Sequence, residues 1–308
     1  MARVWVVGSL NVDRSWRVAR HPGVGETVMG ESLAPQPGGK GLNQAVAAAR
    51  MGADVVLVGR VGDDDDGRWL RDVAAAEGID VAAVSTNPDA STGSALIVID
   101  EAGANTVTVD PGANQLLAAP DDLGLVAGDV VVAQLEVPAA AVDAIFAAAA
   151  RLGAVTVLNP SPLDRASEVH QRADVVVVNQ PEAAALAGSS GEAVTVEAAT
   201  AEAAIDQGRA IAARDRPPRG GTVIVTLGAA GAVAVSADPG SAPMIVAAPI
   251  VAAVDTTGAG DCFLGVLAAG LAQGLDLAAA LDRANRAASI SVTRLGTVAA
   301  MPTADELS

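Results

Sequence analysis

The stretch Val254-Asp255-Thr256-Thr257-Gly258-Ala259-Gly260-Asp261-Cys262-Phe263 sets two threonines, three small residues and a carboxylate before an apolar run. That run, Phe263 to Leu271, ends at Gly274 as a buried helix should, and another apolar run, Met244 to Val251, precedes the motif. The threonines can cap the helix, while Gly258, Ala259 and Gly260 leave its first backbone N–H groups uncovered. A helix end of this kind carries partial positive charge and seats an anion. Asp261 falls in the first turn, where a carboxylate would repel a phosphate unless it had work to do. Taking the proton from a hydroxyl that attacks phosphorus is such work. The same segment also reads as a glycine-rich helix start with an ordinary capping carboxylate.

A second cluster surrounds the sole lysine of the chain, in Gly38-Gly39-Lys40-Gly41-Leu42-Asn43-Gln44-Ala45. Glycines beside Lys40 let backbone and ammonium approach a ligand closely. This is no Walker A loop, because Ala34 stands where the first glycine belongs and Gly41 where a hydroxyl must hold magnesium. Further polar groups leave the carboxyl ends of strand-like runs, where open α/β sheets bind ligands. Asn11 and Asp13 can face one side and accept hydrogen bonds from vicinal hydroxyls, or form a solvated turn. Glu136, and Asn179 with Glu182, can face polyol hydroxyls or water around magnesium, or cap helices. Thr226-Leu227-Gly228-Ala229-Ala230-Gly231 offers a tight turn able to border a nucleotide. His21 and His170 have no second ligand nearby, and Gly-x-Ser-x-Gly is absent, which removes the usual signals for zinc sites and serine hydrolases.

To position these groups the chain needs a scaffold, and its rhythm supplies one. Val4–Val7, Val55–Val58, Val130–Ala133, Val155–Leu158, Val175–Val178 and Val223–Thr226 read as strands. Gly41–Met51, Arg68–Glu77, Ala139–Leu152 and Ala198–Ala213 have helical composition. The alternation predicts an α/β fold: a three-layer α/β/α domain around a mainly parallel sheet, apolar on both faces. Two stretches break the rhythm: polar Val12 to Pro37, and the runs Ser94–Ile99 and Asn105–Val109 around Glu101-Ala102-Gly103-Ala104. Both are expected in a small β-sheet lid, segments about 12–37 and 92–110 of a single domain spanning 1–308. Disorder is expected at Gly188–Thr195, Arg214–Gly221 and from Thr303 onward.

The 308 residues carry a formal net charge of −17. That argues against nucleic acid or an anionic membrane as partner, since both demand clustered cations. Aromatics make up only 2%, so a site built on stacking is nearly excluded and the core must come from Ala, Val, Leu and Ile. One cysteine, Cys262, excludes an intrachain disulfide and fits a reducing cytoplasm. The opening residues are too short an apolar run for a signal peptide, and no stretch approaches the ~18 apolar residues of a membrane helix.

From Val4 to about Pro302 these motifs together resemble the ribokinase-type (PfkB) family of carbohydrate kinases. Gly38 to Ala45 with Gly62-Asp63-Asp64, and Asp255 to Asp261, carry most of the likeness. The resemblance implies a ribokinase-like fold, ATP with Mg2+ and K+ as cofactors, and transfer of the γ-phosphate to a primary sugar hydroxyl, D-ribose first among acceptors. It implies Asp261 as base, with the N–H groups of Gly258, Ala259 and Gly260 on the γ-phosphate. Asn11, Asp13, Gly39, Lys40, Asn43 and Glu136 would hold the sugar. Asn179 and Glu182 would position magnesium and phosphates, Thr226, Gly228 and Gly231 would border the nucleotide, and Asn285 would lie near adenine. Asp255, Thr257, Ser291 and Gly296 would hold the monovalent cation. Ala300 departs from a common serine there, which implies a weaker site. The resemblance also implies a homodimer, since lids of this family serve as dimer clasps. Fructose, 2-keto-3-deoxygluconate or a nucleoside as acceptor, and a non-catalytic sugar sensor of the same fold, are the competing readings. The scarcity of lid aromatics, Trp16 alone, favours a bare sugar over a nucleoside, and the intact Asp261 and glycines disfavour the sensor.

Overall fold

Valine-rich runs flanked by turn residues become the central sheet because β-branched side chains pack well on a pleated surface buried on both faces. The computed structural model describes residues 2–163, 172–188, 201–215 and 221–307. Among these, nine strands form one sheet. They are β1 (Val4–Val7), β5 (Val55–Gly62), β6 (Val84–Asn87), β9 (Val130–Gln134), β10 (Val155–Asn159), β11 (Val175–Asn179), β12 (Thr222–Thr226), β13 (Ala232–Ser236) and β14 (Met244–Val246). Their order is β14-β13-β12-β11-β10-β9-β1-β5-β6, parallel except where β13 meets β12 and β14.

The period of two sorts side chains onto opposite faces. Val4, Val6, Val55, Leu57, Val130, Val132 and Ile224 pack against α1 (Lys40–Arg50), α2 (Asp65–Ala76), α6 (Ala259–Ala272) and α7 (Leu277–Ser291). Trp5, Val7, Val56, Val58, Val131 and Val223 pack against α3 (Ala139–Leu152), α4 (Gln180–Leu186) and α5 (Ala201–Asp215). The three expected layers are therefore present. Small residues let α1 and α6 cross closely: a Cβ on Gly265 would stand 2.3 Å from the Gln44 carbonyl oxygen. That approach brings the two chemistry-bearing segments together.

The lid is a second sheet, built from β2 (Asn11–Val18), β3 (Gly30–Ser32), β4 (Gln36–Gly38), β7 (Gly93–Ile99) and β8 (Asn105–Asp110). It hinges on Asn11, which pairs with Gly38 on one side and Gly93 on the other. The hairpin turn at Glu101–Ala104 lies where the alternation places it, with Ile99 opposite Asn105.

One expectation fails at the carboxyl end. Thr303 to Leu307 is ordered, because Ala304–Leu307 forms a short 3-10 turn, Leu307 enters the core and Glu306 pairs with Arg294. Residues 189–195 and 216–220 of the two other expected disordered segments, residues 198–200 of the fourth expected helix and His170 lie outside the described residues. No helix among the described residues is long and apolar enough to cross a membrane.

Candidate active site

Parallel strands send their carboxyl ends to one edge, so Ser9, Gln134, Asn159, Asn179 and Thr226 end up side by side; Asn159 is in register with Gln134, and Asn179 with Thr226. Helix α6 points its amino end at the same edge. Its N-cap is Gly258, in the left-handed region at φ 74°, with no side-chain cap hydrogen bond. The expected threonine cap is thus absent. The Thr257 N–H instead donates to Asp255 Oδ1 at 2.9 Å, and the left-handed step at Gly258 carries both threonines off the helix axis. What remains is a helix tip with no side-chain cap, as an anion seat requires; of its first N–H groups, that of Ala259 turns back to the Thr256 carbonyl at 3.3 Å.

Asp261, only 7% exposed, stands on the first turn of α6. Two amides of α1 hold it: Asn43 Nδ2 donates to Oδ2 at 3.0 Å and Gln44 Nε2 to Oδ1 at 2.9 Å. Two bonds, one to each oxygen, fix the orientation of the carboxylate. Asn43, expected to grip a ligand, therefore has its amide nitrogen on Asp261, and its buried Oδ1 has no partner among the described residues. Helix α1 opens at Gly39, whose φ of 90° and closeness to the Asn11 backbone (2.8 Å from any added Cβ) exclude a side chain. This turn delivers Lys40. The Asp261 carboxylate first, then Glu136 and Glu182, hold its ammonium above the usual lysine range against the opposing pull of burial.

Glu136 Oε2 accepts from Ser9 Oγ at 2.5 Å and from the Lys40 N–H at 3.1 Å, tying β9's exit to β1's exit and α1. Asp13 stands on the lid beside Gly38, where an added Cβ would strike its carboxylate. Burial, with Glu136 and Asp261 nearby, pushes the Asp13 carboxyl up to about 6. Asn11 is buried, and its Oδ1 accepts from Asn114 Nδ2 at 2.8 Å. Asn11, Asp13, Gly39, Lys40, Asn43, Glu136 and Asp261 thus converge at the lid, with Asp13 near Glu136 and Asp261, and those two carboxylates near the Lys40 ammonium.

Two clefts meet at the helix tip. One, of about 240 Å³, is lined by Lys40, Asn159, Asn179, Glu182, Gly258 and Asp261 among others. The second, of about 270 Å³, is mostly apolar; Gly228, Gly231, Ile250, Val251, Asn285 and Val292 are among its walls. Thr226 and Gly260 line both, so they mark the junction. Asn179 and Glu182 form a capping box on α4: Asn179 Oδ1 accepts from the Glu182 N–H, and Glu182 Oε2 from the Asn179 N–H. Asn285 Nδ2 donates to the Val246 carbonyl at 2.9 Å. Away from the clefts, Asp255 joins two loops, accepting from the Thr257 and Gly296 N–H groups. Desolvation pushes its carboxyl up, but those hydrogen bonds hold it below the ordinary value. Ser291 is buried at the end of α7, where its Oγ donates to the Ala288 carbonyl, and Ala300 is buried as well.

Sequence reasoning assigned no role to Gln44, Asn114, Ser9 or Gln134. Gln44 left one trace: a fully buried polar residue in an otherwise Ala- and Val-rich helix has to find a partner.

A buried carboxylate beside a helix tip without a side-chain cap, near a lysine and a β-lid, is an arrangement suited to a phosphotransferase acting on a hydroxylated small molecule. The family described as pfkB family carbohydrate kinase matches residues 1–304, and the chain belongs to it. It is an ATP-dependent sugar kinase by this membership. A Staphylococcus aureus ribokinase is 34% identical over 313 residues, covering 99% of this chain and 98% of that protein. A bifunctional ribokinase/ribose-5-phosphate isomerase A from Fructilactobacillus sanfranciscensis is 33% identical; the whole of this chain aligns, spanning 56% of that longer protein. Among solved structures, Arabidopsis thaliana ribokinase complexed with ribose and ATP superposes with a TM-score of 0.86 at 27% identity, covering 100% of this chain and 98% of that one.

Proposed function

We propose that this protein transfers the γ-phosphate of ATP to the 5-hydroxyl of D-ribose, giving ribose 5-phosphate and ADP. The observation that carries the reading is the placement of Asp261: on the uncapped first turn of α6, ionisable, held by two amides, and bordering the cleft that also contains Lys40. The relatives named ribokinase, and the superposable structure holding ribose and ATP, point to the acceptor.

In this reading the sugar lies beneath the lid with its hydroxyls on Asn11, Asp13, Gly39, Lys40, Asn43 and Glu136. ATP enters from the apolar cleft with its base near Asn285 and its phosphates passing Thr226, Gly228 and Gly231 toward Gly260. The sugar oxygen attacks γ-phosphorus as Asp261 takes its proton. The bond from γ-phosphorus to the bridging oxygen breaks, and its electron pair leaves with ADP. An alcohol is too weak an acid to ionise at neutral pH, so Asp261 accepts the proton only as the new P–O bond forms. The N–H groups of Gly258, Ala259 and Gly260 meet the charge gathering on the transferred group, a preorganised contact of ~2.7–4 kcal/mol when one donor is lost.

Oxygen donors around the phosphate path, Asn179 and Glu182 with Asn159 and Thr226, suit Mg2+ holding several waters; bound there, it would neutralise phosphate charge. Asp255 with the carbonyls of Thr257, Ser291 and Gly296 offers K+ a harder, oxygen-only set, to which Ala300 adds no hydroxyl. The chain reads as one domain with segments 12–37 and 92–110 as its lid. Leu96, Val107 and Val109 are about half-exposed on that lid, which supports a homodimer joined there. Its place is the cytoplasm, where ATP is available and buried Cys262 stays reduced.

The test is ADP release with Mg2+ and ATP over a panel of ribose, deoxyribose, fructose, 2-keto-3-deoxygluconate and nucleosides. Ribose should give the highest kcat/KM, and a product that comigrates with ribose 5-phosphate. A higher value for another acceptor would reassign the substrate, and no turnover with any would remove the kinase reading.

A further inference from the structure

Behind Asp261 runs a buried chain of amides. Gln134 Nε2 donates to the Val7 carbonyl at 3.2 Å and lies 3.5 Å from Gln44 Oε1, while Gln44 Nε2 donates to Asp261 Oδ1. Gln44 and Gln134 are both fully buried. The polarity of this chain is fixed at both ends by groups that only accept: a backbone carbonyl on β1 and a carboxylate on α6. Gln134 must turn its NH2 to Val7, so its hydrogen on the other side meets Gln44 Oε1, and Gln44 must then offer its own NH2 to Asp261. The orientation leaves Gln134 Oε1 without a partner among the described residues. Space for Gln134 exists only because position 8 is glycine; a Cβ there would fall 1.9 Å from its Nε2.

We propose that Gln44, braced by Gln134, is a positioning residue for the base, and this rests on the reading of Asp261 given above. Gln44 pins Oδ1 as Asn43 pins Oδ2, and the two bonds together fix the rotation of the group at the cleft it borders. A neutral amide does this without cancelling the negative charge. A lysine or arginine at position 44 would hold Asp261 as firmly but weaken it as a proton acceptor. A merely structural pair would leave two buried polar side chains, one of them incompletely bonded, where apolar residues would pack at less cost. Because misplacement of a base is felt in the transition state and not in sugar binding, the effect belongs in kcat.

The experiment compares Gln44→Leu, Gln44→Glu and Gln134→Leu with the parent, measuring kcat and sugar KM per folded protein, melting temperature, and a crystal structure of each Gln44 variant. Loss of one hydrogen bond to a charged group corresponds to a fall in kcat of about tenfold to a hundredfold. That fall is expected for Gln44→Leu, with sugar KM changed less than about threefold, and a smaller fall for Gln134→Leu. Gln44→Glu keeps the shape but places a second carboxylate against Asp261, so per folded protein it should lose at least as much; Gln134→Leu, one residue further from the base, keeps the test open if a Gln44 variant fails to fold. The crystal structures should show the Asp261 carboxylate rotated from its parental orientation. Parental kcat in folded Gln44→Leu and Gln44→Glu, or a loss carried by KM alone, overturns the proposal. If the parent turns over no acceptor at all, the kinase reading fails separately, and the crystal structures alone decide: an unmoved Asp261 carboxylate overturns the positioning role.

Discussion

Gly260 separates the folding role of the helix tip from its chemical one. It occupies the first turn of α6, borders both clefts, and a Cβ built on it would meet nothing within 4 Å. Gly260→Ala is therefore free of strain in the folded protein, and the backbone at this position is already helical. Replacing glycine by alanine inside a helix stabilises by roughly 0.5–1 kcal/mol, and the gain is smaller in the first turn. For a chain of this size that is about one to three degrees in melting temperature at most. In the proposed reaction, however, the new methyl enters the junction of the two clefts, where that reading places the γ-phosphate. Displacing one preorganised donor contact costs ~2.7–4 kcal/mol, or about a hundredfold to a thousandfold in kcat. Thermal unfolding and steady-state ADP release on one preparation read both quantities. A melting temperature equal to or above the parent's, with turnover lost, is the expected pair. Turnover within about threefold of the parent would refute the phosphate seat, whatever the stability.

Three further outcomes follow from the electrostatics. Asp13, raised to about 6 from an ordinary 3.8, binds its proton more tightly folded than unfolded. Between pH ~4 and ~6 the native state thus holds more protons, stability falls as pH rises through that window, and the full cost, about 3 kcal/mol, remains above it. Asp13→Asn should therefore stabilise in urea unfolding at pH 8, with the gain vanishing near pH 4, while sugar KM rises; an equal gain at both pH values would contradict the assignment. Lys40→Ala removes the cation facing Asp261, Glu136 and Glu182 and should raise sugar KM about tenfold or more. An unchanged KM for every sugar tried would refute its role. Ala300→Ser should lower the K+ concentration for half-activation on the order of fivefold, the worth of one added neutral oxygen contact; no change in a potassium titration would dissociate Ala300 from the cation.

Much of the scaffold is legible in the sequence because its signals are local. Val4–Val7 and Val175–Val178 carry their own propensity, and the polar stretch between Val12 and Pro37 announces a departure from the α/β rhythm. The helix at Asp261 is marked by its glycines. Its cap was not readable, because the choice between the threonines and Gly258 turns on a single left-handed backbone step. Helix α7 carries a weak local signal, its alanines interrupted by Asp282, Arg283, Asn285 and Arg286. Least legible were the contacts of Asp261 itself: Asn43 and Gln44 lie more than two hundred residues away in sequence, and only the crossing of α1 on α6 brings them within hydrogen-bond reach. The tie of Asn11 to Asn114 across the foot of the lid was hidden for the same reason.

Whether Asp261 removes the proton from the attacking hydroxyl is read from Asp261→Asn. The amide preserves size, its oxygen keeps the bond from Gln44, and its NH2 is met by the unpartnered Asn43 Oδ1 once that amide turns over, so calorimetric binding of ribose and ATP should stay close to the parent's while kcat falls by several orders of magnitude. Binding intact with turnover above about a tenth of the parent's, a barrier change of only ~1.4 kcal/mol, would contradict the account.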